Sequence, residues 1–278
     1  MKKLTLVKES KFWLLSTGAG LIAIHLTLTW KYGNSDLLVT SIMFWLVVVH
    51  LLGEKQDTLN LESSLVSNLF GLSLMAWALL RSALLPNEQL FLRLFPFVFA
   101  LALGLLASGA RGLKQYWQEL LLLGFLAIPA GLVSRITNLS TLTAKLATSI
   151  LWYLGFPVTR SGTHITLPTG SVEVDSGCSG ITTILQLLGL AFLFLAMFPT
   201  KGSQKPLIPL VASLVAFLVN GIRVALLARL VANKETFEYW HQGQGSLIFS
   251  LISATLFGLF CYFLVLRTES KDEETLEA

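Results

Sequence analysis

The last third of the chain carries three chemically capable side chains in successive stretches: Cys178 in "SVEVDSGCSGITTILQ" (171–186), Arg223 in "NGIRVALLARL" (220–230) and His241 in "YWHQGQGSLIFS" (239–250). A thiol becomes a strong nucleophile once deprotonated, a guanidinium set among apolar residues is an anion site, and an imidazole carries protons near neutral pH. The cysteine has the least ordinary setting. A polar, alternating run with Glu173 and Asp175 meets a thiol flanked by Gly177 and Gly180, and an apolar run follows at once. At a helix start the unpaired N–H groups and the macrodipole favour an anion, which lowers a thiol's pKa. The two glycines leave room for a substrate backbone. Free cysteines also fill apolar helices, so spacing alone leaves Cys178 equally a nucleophile or a filler.

The elements that must position these residues are those of a membrane protein. Of 278 residues, 54% are hydrophobic and only 13% charged, with a mean hydropathy of +0.71; a water-soluble surface needs more charge than that. Apolar blocks long enough for a hydrocarbon core of ~30 Å, about 20 helical residues, occur at about 12–30, 37–52, 65–85, 91–108, 117–133, 179–199, 207–231 and 246–266. The expected fold is an all-α polytopic membrane protein of about eight transmembrane helices. Residues 1–266 read as one bundle domain, with its catalytic part at about 134–266, because no linker-like tract divides them. The charged tail "RTESKDEETLEA", 267–278, reads as disordered. The basic start "MKKLTLVKESK" lacks a convincing cleavage site after its apolar run and reads as a span flank.

The one long connection, 134–178, divides in two. "NLSTLTAKLATSILWYLGF" has apolar residues at helical spacing broken by Ser, Thr and Lys, which suits an amphipathic helix at the interface. "HITLPTGSVEVD" alternates around a Pro-Thr-Gly turn and predicts a short extracytoplasmic β-hairpin before the sixth span. With the N-terminus inside, Lys2, Lys3, Lys8, Lys11, Lys55, Arg111, Lys114, Lys201, Lys205, Arg267 and Lys271 fall on the inner side. Lys31, Arg81, Arg93, Arg229 and Lys234 fall on the outer side. That bias places both termini in the cytoplasm of a plasma (inner) membrane protein and the long loop outside. The net charge of +4 is spent on topology, and no nucleic-acid partner is expected. Cys178 and Cys261 fall at different depths and are not expected to pair.

In that topology Cys178, Arg223 and His241 lie near one membrane face. Arg223 sits about eight residues, or ~12 Å, below the outer end of the seventh helix, and a cation at that depth costs ~2.5–3.5 kcal/mol or more unless it faces a cavity or partner. Cys178, Ser179, Thr182, Thr183 and Gln186 recur at three-to-four spacing, as do Asn220 with Arg223 and Ser246 with Ser250 and Ser253. Such stripes turn inward in lipid to find partners. His241 alone reads as an interfacial histidine bonded to a carbonyl, and His25, His50 and His164 as structural. Glu173 and Asp175 either orient His241 or are solvated.

"CSGI" at 178–181, "NGIRVAL" at 220–226 and "HQGQGSLIF" at 241–249, in this order and placement, resemble the exosortase/archaeosortase family of polytopic membrane cysteine transpeptidases. The resemblance implies Cys178 as nucleophile, Arg223 as electrostatic stabiliser and His241 as acid/base; Ser179, Gly180, Thr182, Asn220, Glu173 and Asp175 are the residues expected to form the substrate pocket beside them. Some archaeal relatives carry a second arginine in place of the histidine, and the retained His241 favours the bacterial branch. It further implies substrates in the lipid bilayer with a C-terminal PEP-CTERM-like signal: a motif such as Pro-Glu-Pro, a transmembrane helix and a basic tail. Cleavage through a thioester would pass the new C-terminus to an acceptor such as a lipid or polysaccharide precursor. No cofactor is expected, and no metal, since the Cys and His counts offer no zinc-type cluster. Two rival readings are a small transporter or channel with Arg223 as an anion site, and a membrane acyltransferase with a lipid donor.

Overall fold

The computed structural model describes residues 2–33 and 35–263, with side chains from residue 11 onward. The chain divides into two compact units, Met1–Pro129 and Ala130–Ala278. The expected disordered tail, 267–278, lies outside the described residues.

The first unit holds α1 (Lys2–Tyr32), α2 (Ser35–Lys55), α3 (Leu65–Leu84), α4 (Gln89–Gly112), a 3-10 turn at Leu113–Tyr116 and α5 (Trp117–Leu126). α3 packs along α4, and α1 packs on both α2 and α4. The aromatic stack Phe91, Phe95 and Phe99 on α4 forms the unit's centre with Leu21 and Ala78. Gly109 interrupts α4 at φ 67, a left-handed conformation that glycine adopts without strain. His25, fully buried, accepts from Trp45 Nε1 at Nδ1 (3.0 Å), which leaves its Nε2–H to donate to Leu92 O (3.0 Å). At one end of the unit Lys55 Nζ pairs with the buried Glu119 at 2.7 Å and donates to Gln115 O at 2.8 Å.

The second unit begins with α6 (Ala130–Ile136) and α7 (Leu139–Tyr153). A three-stranded antiparallel sheet follows, β1 (Thr159–Ser161), β2 (His164–Leu167) and β3 (Gly170–Glu173), in the order β1-β2-β3. Then come α8 (Ile181–Met197), α9 (Gln204–Leu230), the short α10 (Lys234–His241) and α11 (Gly245–Cys261). Alternation sends Ile165, Leu167, Val172 and Val174 to one face of the sheet, where they join Ala144, Ala147 and Leu151 of α7 and Val224, Ala225 and Ala228 of α9. Cys178 is part of this core. Farther along, α8, α9 and α11 pack through Leu187, Ala191, Ile208, Ala212, Ala216 and Phe257.

Among the described residues six helical runs are long and apolar enough to cross a membrane: 11–32, 35–55, 65–84, 89–126, 204–230 and 234–261. Ile181–Met197 is a seventh, shorter apolar helix. The fold is a polytopic, mostly helical membrane protein with one small sheet. It differs from the eight-span expectation at 117–133, which is two helices and not one. Pro129 has no N–H to continue the ladder, and the residue before a proline is pushed out of the helical region, so α5 stops at Leu126 and α6 starts afresh at Ala130. The hairpin read at 164–175 is β2–β3, joined by the two residues Pro168 and Thr169; β1 adds a strand that a three-residue polar segment does not announce. α7 buries its apolar face on α9 and the sheet.

Candidate active site

The loop between β3 and α8 is fixed by its own polar atoms before any neighbour touches it. Asp175 Oδ1 accepts from Cys178 N at 2.8 Å, and Ser179 Oγ donates to Ser176 O at 2.7 Å. Both bonds follow from the habit of Asp and Ser to satisfy backbone groups two or three residues away. α7 then holds the loop at two points: Ser140 Oγ donates to Asp175 O (3.1 Å) and Thr143 Oγ1, fully buried, to Ser179 O (2.8 Å). From α9, Asn220 Nδ2 donates to Cys178 O at 3.0 Å, and Asn220 is itself only 3% exposed. Gly180 passes under this amide at φ +88; a Cβ there would stand 2.6 Å from Asn220 Nδ2. Only glycine meets both demands.

The imidazole arrives from the other side. Asn233 caps α10 by accepting from Thr236 N at 3.1 Å, and two turns later the helix ends on His241. Phe237, one turn earlier on the same face, lies against the ring with centroids 5.2 Å apart. His241 Nε2 stands 3.2 Å from Cys178 Sγ. Arg223, on α9, donates from Nη2 to His241 O at 2.6 Å and from Nη1 to Asn220 Oδ1 at 3.5 Å, while its buried Nε has no partner among the described residues. A cation on the last carbonyls of a helix satisfies orphan acceptors. One arginine therefore touches the residue that carries the imidazole and the residue that holds the thiol loop.

Sulfur and imidazole face a cavity of about 260 Å³, lined also by Ser171, Val172, Glu173 and Asp175 from β3 and the loop after it, by Val224, Leu227 and Val231 from α9 and its end, and by Phe237 of α10. Burial pushes the Cys178 thiol up to about 11, the negative charge of Asp175 adds to the rise, and Arg223 opposes it. This overturns the expectation of a thiol lowered by a helix start. Cys178 lies three residues ahead of α8, behind the left-handed Gly180, and its own N–H is taken by a carboxylate, so the helix terminus does not reach it. The rise favours the proton on the sulfur, 3.2 Å from Nε2 of His241.

The structure thus brings Cys178, Arg223 and His241 together. Glu173 and Asp175 line the cavity, and their carboxylates engage His164 Nε2 (3.6 Å) and Cys178 N respectively. Ser179, Gly180 and Asn220 sit behind the sulfur and hold its loop. Thr182 departs from the inward stripe expected of it: Cys178 and Ser179 precede the helix, so helical spacing does not align them with Thr182, which is exposed in the first turn of α8. Ser140, Thr143 and Phe237 were not singled out by sequence, although Ser140 and Thr143 share a helix face and Phe237 lies four residues before His241. Both cysteines are free thiols.

A helical membrane chain with a thiol–imidazole pair beside an open cavity is a membrane protein equipped for cysteine chemistry. The family model described as transmembrane exosortase matches residues 30–258, and the chain belongs to the transmembrane exosortase family. No curated protein and no solved structure gives a significant match. At the level of the family this is a membrane-embedded sorting transpeptidase, whose substrates carry C-terminal sorting signals.

Proposed function

We propose that the protein cleaves C-terminal sorting signals by cysteine acyl transfer, with Cys178 as nucleophile and His241 as acid/base. The observation that carries this is the 3.2 Å contact between Cys178 Sγ and His241 Nε2 at the wall of a cavity. Because the thiol is held neutral, its proton passes to Nε2 as Sγ attacks a peptide carbonyl carbon. The oxyanion so formed collapses, the C–N bond breaks, and the leaving amine takes the proton from Nε2. A thioester on Cys178 remains. An acceptor hydroxyl, amine or water then gives its proton to Nε2 and attacks; the C–S bond breaks and the sulfur regains the proton.

Arg223 serves this cycle in two ways. It fixes the backbone of His241 through the 2.6 Å bond, and its positive charge, felt at the sulfur, stabilises the oxyanion that forms on the carbonyl bonded to that sulfur. Asn220, Gly180, Ser179 and Thr143 hold the thiol in reach. The positive-inside bias supports an extracytoplasmic site with both termini in the cytoplasm. The substrates are membrane proteins ending in a Pro-Glu-Pro-like motif, an apolar helix and a basic tail, and the acceptor is a lipid or polysaccharide precursor.

The test is reconstitution of the protein in vesicles with a probe protein carrying such a tail. Cys178→Ala is expected to abolish processing and His241→Ala to reduce it by about 100-fold or more. Undiminished cleavage by the Cys178→Ala protein would remove the proposal.

A further inference from the structure

The strand β3 has one edge paired and one edge open. Its register to β2 pairs Glu173 with His164, Val172 with Ile165, Ser171 with Thr166 and Gly170 with Leu167. One residue on, Val174 N donates to Thr163 O at 3.0 Å, which marks Val174 and Thr163 as a hydrogen-bonded pair. Hydrogen-bonded and non-bonded pairs alternate along an antiparallel ladder. Val172 and Gly170 therefore aim their N–H and C=O groups at β2, while those of Ser171 and Glu173 point away from it. β3 is the last strand of the sheet, and no backbone partner meets the outward groups of Ser171 and Glu173 among the described residues.

Both residues are exposed and both line the cavity that holds Cys178 and His241. The open edge runs directly into the catalytic loop, since Asp175, two residues beyond Glu173, holds Cys178 N. The apolar part of the same lining is Val224, Leu227, Val231 and Phe237. An open edge offers alternating donors and acceptors about 6.6 Å apart, a spacing that another extended backbone matches.

We propose that the substrate polypeptide binds as an added strand on the free edge of β3, hydrogen-bonded to the main chain of Ser171 and Glu173, with its apolar side chains against the apolar lining from α9 and α10. This rests on the proposed peptidyl chemistry and says how that site holds its substrate: by backbone, in an extended form, with the scissile carbonyl led along the strand toward Cys178. A lipid donor has no backbone to pair and is not held this way. Recognition of this kind is tolerant of side chains on the residues that face the edge and intolerant of any change that removes a main-chain N–H there.

Proline at 173 removes one outward N–H and leaves the inward ladder intact, and an edge strand tolerates it. Glu173→Pro and Glu173→Ala are compared for processing of the probe protein ending in Pro-Glu-Pro, an apolar helix and an arginine tail, with the iodoacetamide reaction of Cys178 followed by mass spectrometry as a control. Glu173→Pro is expected to process about fivefold to tenfold less well than Glu173→Ala through a higher KM, the worth of one net hydrogen bond, with Cys178 alkylation equal in the two variants. In the Cys178→Ala protein, the same probe is expected to slow amide hydrogen exchange at Ser171 and Glu173 and to leave Val172 as it was. Equal KM for the proline and alanine variants, or unchanged exchange at Ser171 and Glu173 with a probe that the parent cleaves, overturns the proposal. If the proline variant alters Cys178 alkylation, the exchange measurement on the native strand decides. A probe that the parent never cleaves sinks the peptidyl reading first, and strand addition falls with it.

Discussion

Arg223 reaches His241 through the main chain and not through the ring: Nη2 donates to His241 O at 2.6 Å. Its other arm meets Asn220, whose amide holds Cys178 O at 3.0 Å. The guanidinium is thus a brace between the segment bearing the imidazole and the segment bearing the thiol. A planar fork spans two such partners and a lysine ammonium does not. Arg223→Lys keeps the charge, yet is expected to lower processing by about 100-fold, comparable to losing one oxyanion donor. Asn220→Ala, which cuts only the second arm, is expected to lower kcat less than Arg223→Lys does. Steady-state kinetics on reconstituted protein check both, and equal activity of the lysine variant would show that charge alone suffices.

The position of Asp175 sets a pH signature. A thiol pushed up to about 11 is almost wholly protonated at neutral pH, so its thiolate fraction rises about tenfold per pH unit. Iodoacetamide labelling of Cys178 is therefore expected to climb steadily between pH 7 and pH 10, without the early plateau of a low-pKa thiol. Asp175→Asn removes the charge that adds to the rise but keeps an oxygen for Cys178 N, so labelling at pH 8 is expected to quicken about threefold to tenfold. A plateau below pH 8 in the parent protein would contradict the burial argument.

Gly180 gives a prediction about the loop itself. An alanine there meets both φ +88 and an Asn220 nitrogen at 2.6 Å, each of which costs about 1–3 kcal/mol or forces the amide aside. Gly180→Ala is expected to lower the thermal midpoint and to lose processing, whereas Gly177→Ala, whose nearest contact would be 3.4 Å to Asp175 Oδ1, is expected to be milder. Equal thermal midpoints for the two variants would contradict this.

In the first unit two buried polar contacts differ in kind. Trp45→Phe leaves His25 Nδ1 without its donor, a loss of about 0.6–2 kcal/mol for a hydrogen bond within a membrane protein. Lys55→Met leaves Glu119, 2% exposed, without its cation, which costs about 3–5 kcal/mol when a buried pair is broken on one side. Thermal scans are expected to rank Lys55→Met well below Trp45→Phe.

Much of this was legible in the sequence because lipid simplifies the code. Long apolar runs announced the spans, and a buried arginine announced a partner. The chain order of Cys178, Arg223 and His241 was enough to place them on three neighbouring segments. What escaped was set by local chemistry that periodicity does not carry. Pro129 broke an apolar run that hydropathy reads as continuous. Burial of the thiol, with Asp175 adding to it, reversed the expected effect, since neither the depth of one residue nor the direction of a carboxylate three residues before it can be read from spacing. Thr182 was drawn onto the wrong face because the helix begins three residues later than the stripe assumed. Ser140 and Thr143 looked like interruptions of an apolar face, although they are the anchors of the Cys178 loop.

The most direct measurement is the mass of the protein after brief reaction with the probe protein in the absence of acceptor. The predicted result is an adduct on Cys178 equal to the probe's amino-terminal product less one water, released by hydroxylamine and accompanied by the freed helix and basic tail. Release of that tail with Cys178 unmodified, and with the Cys178→Ala protein equally active, would contradict it.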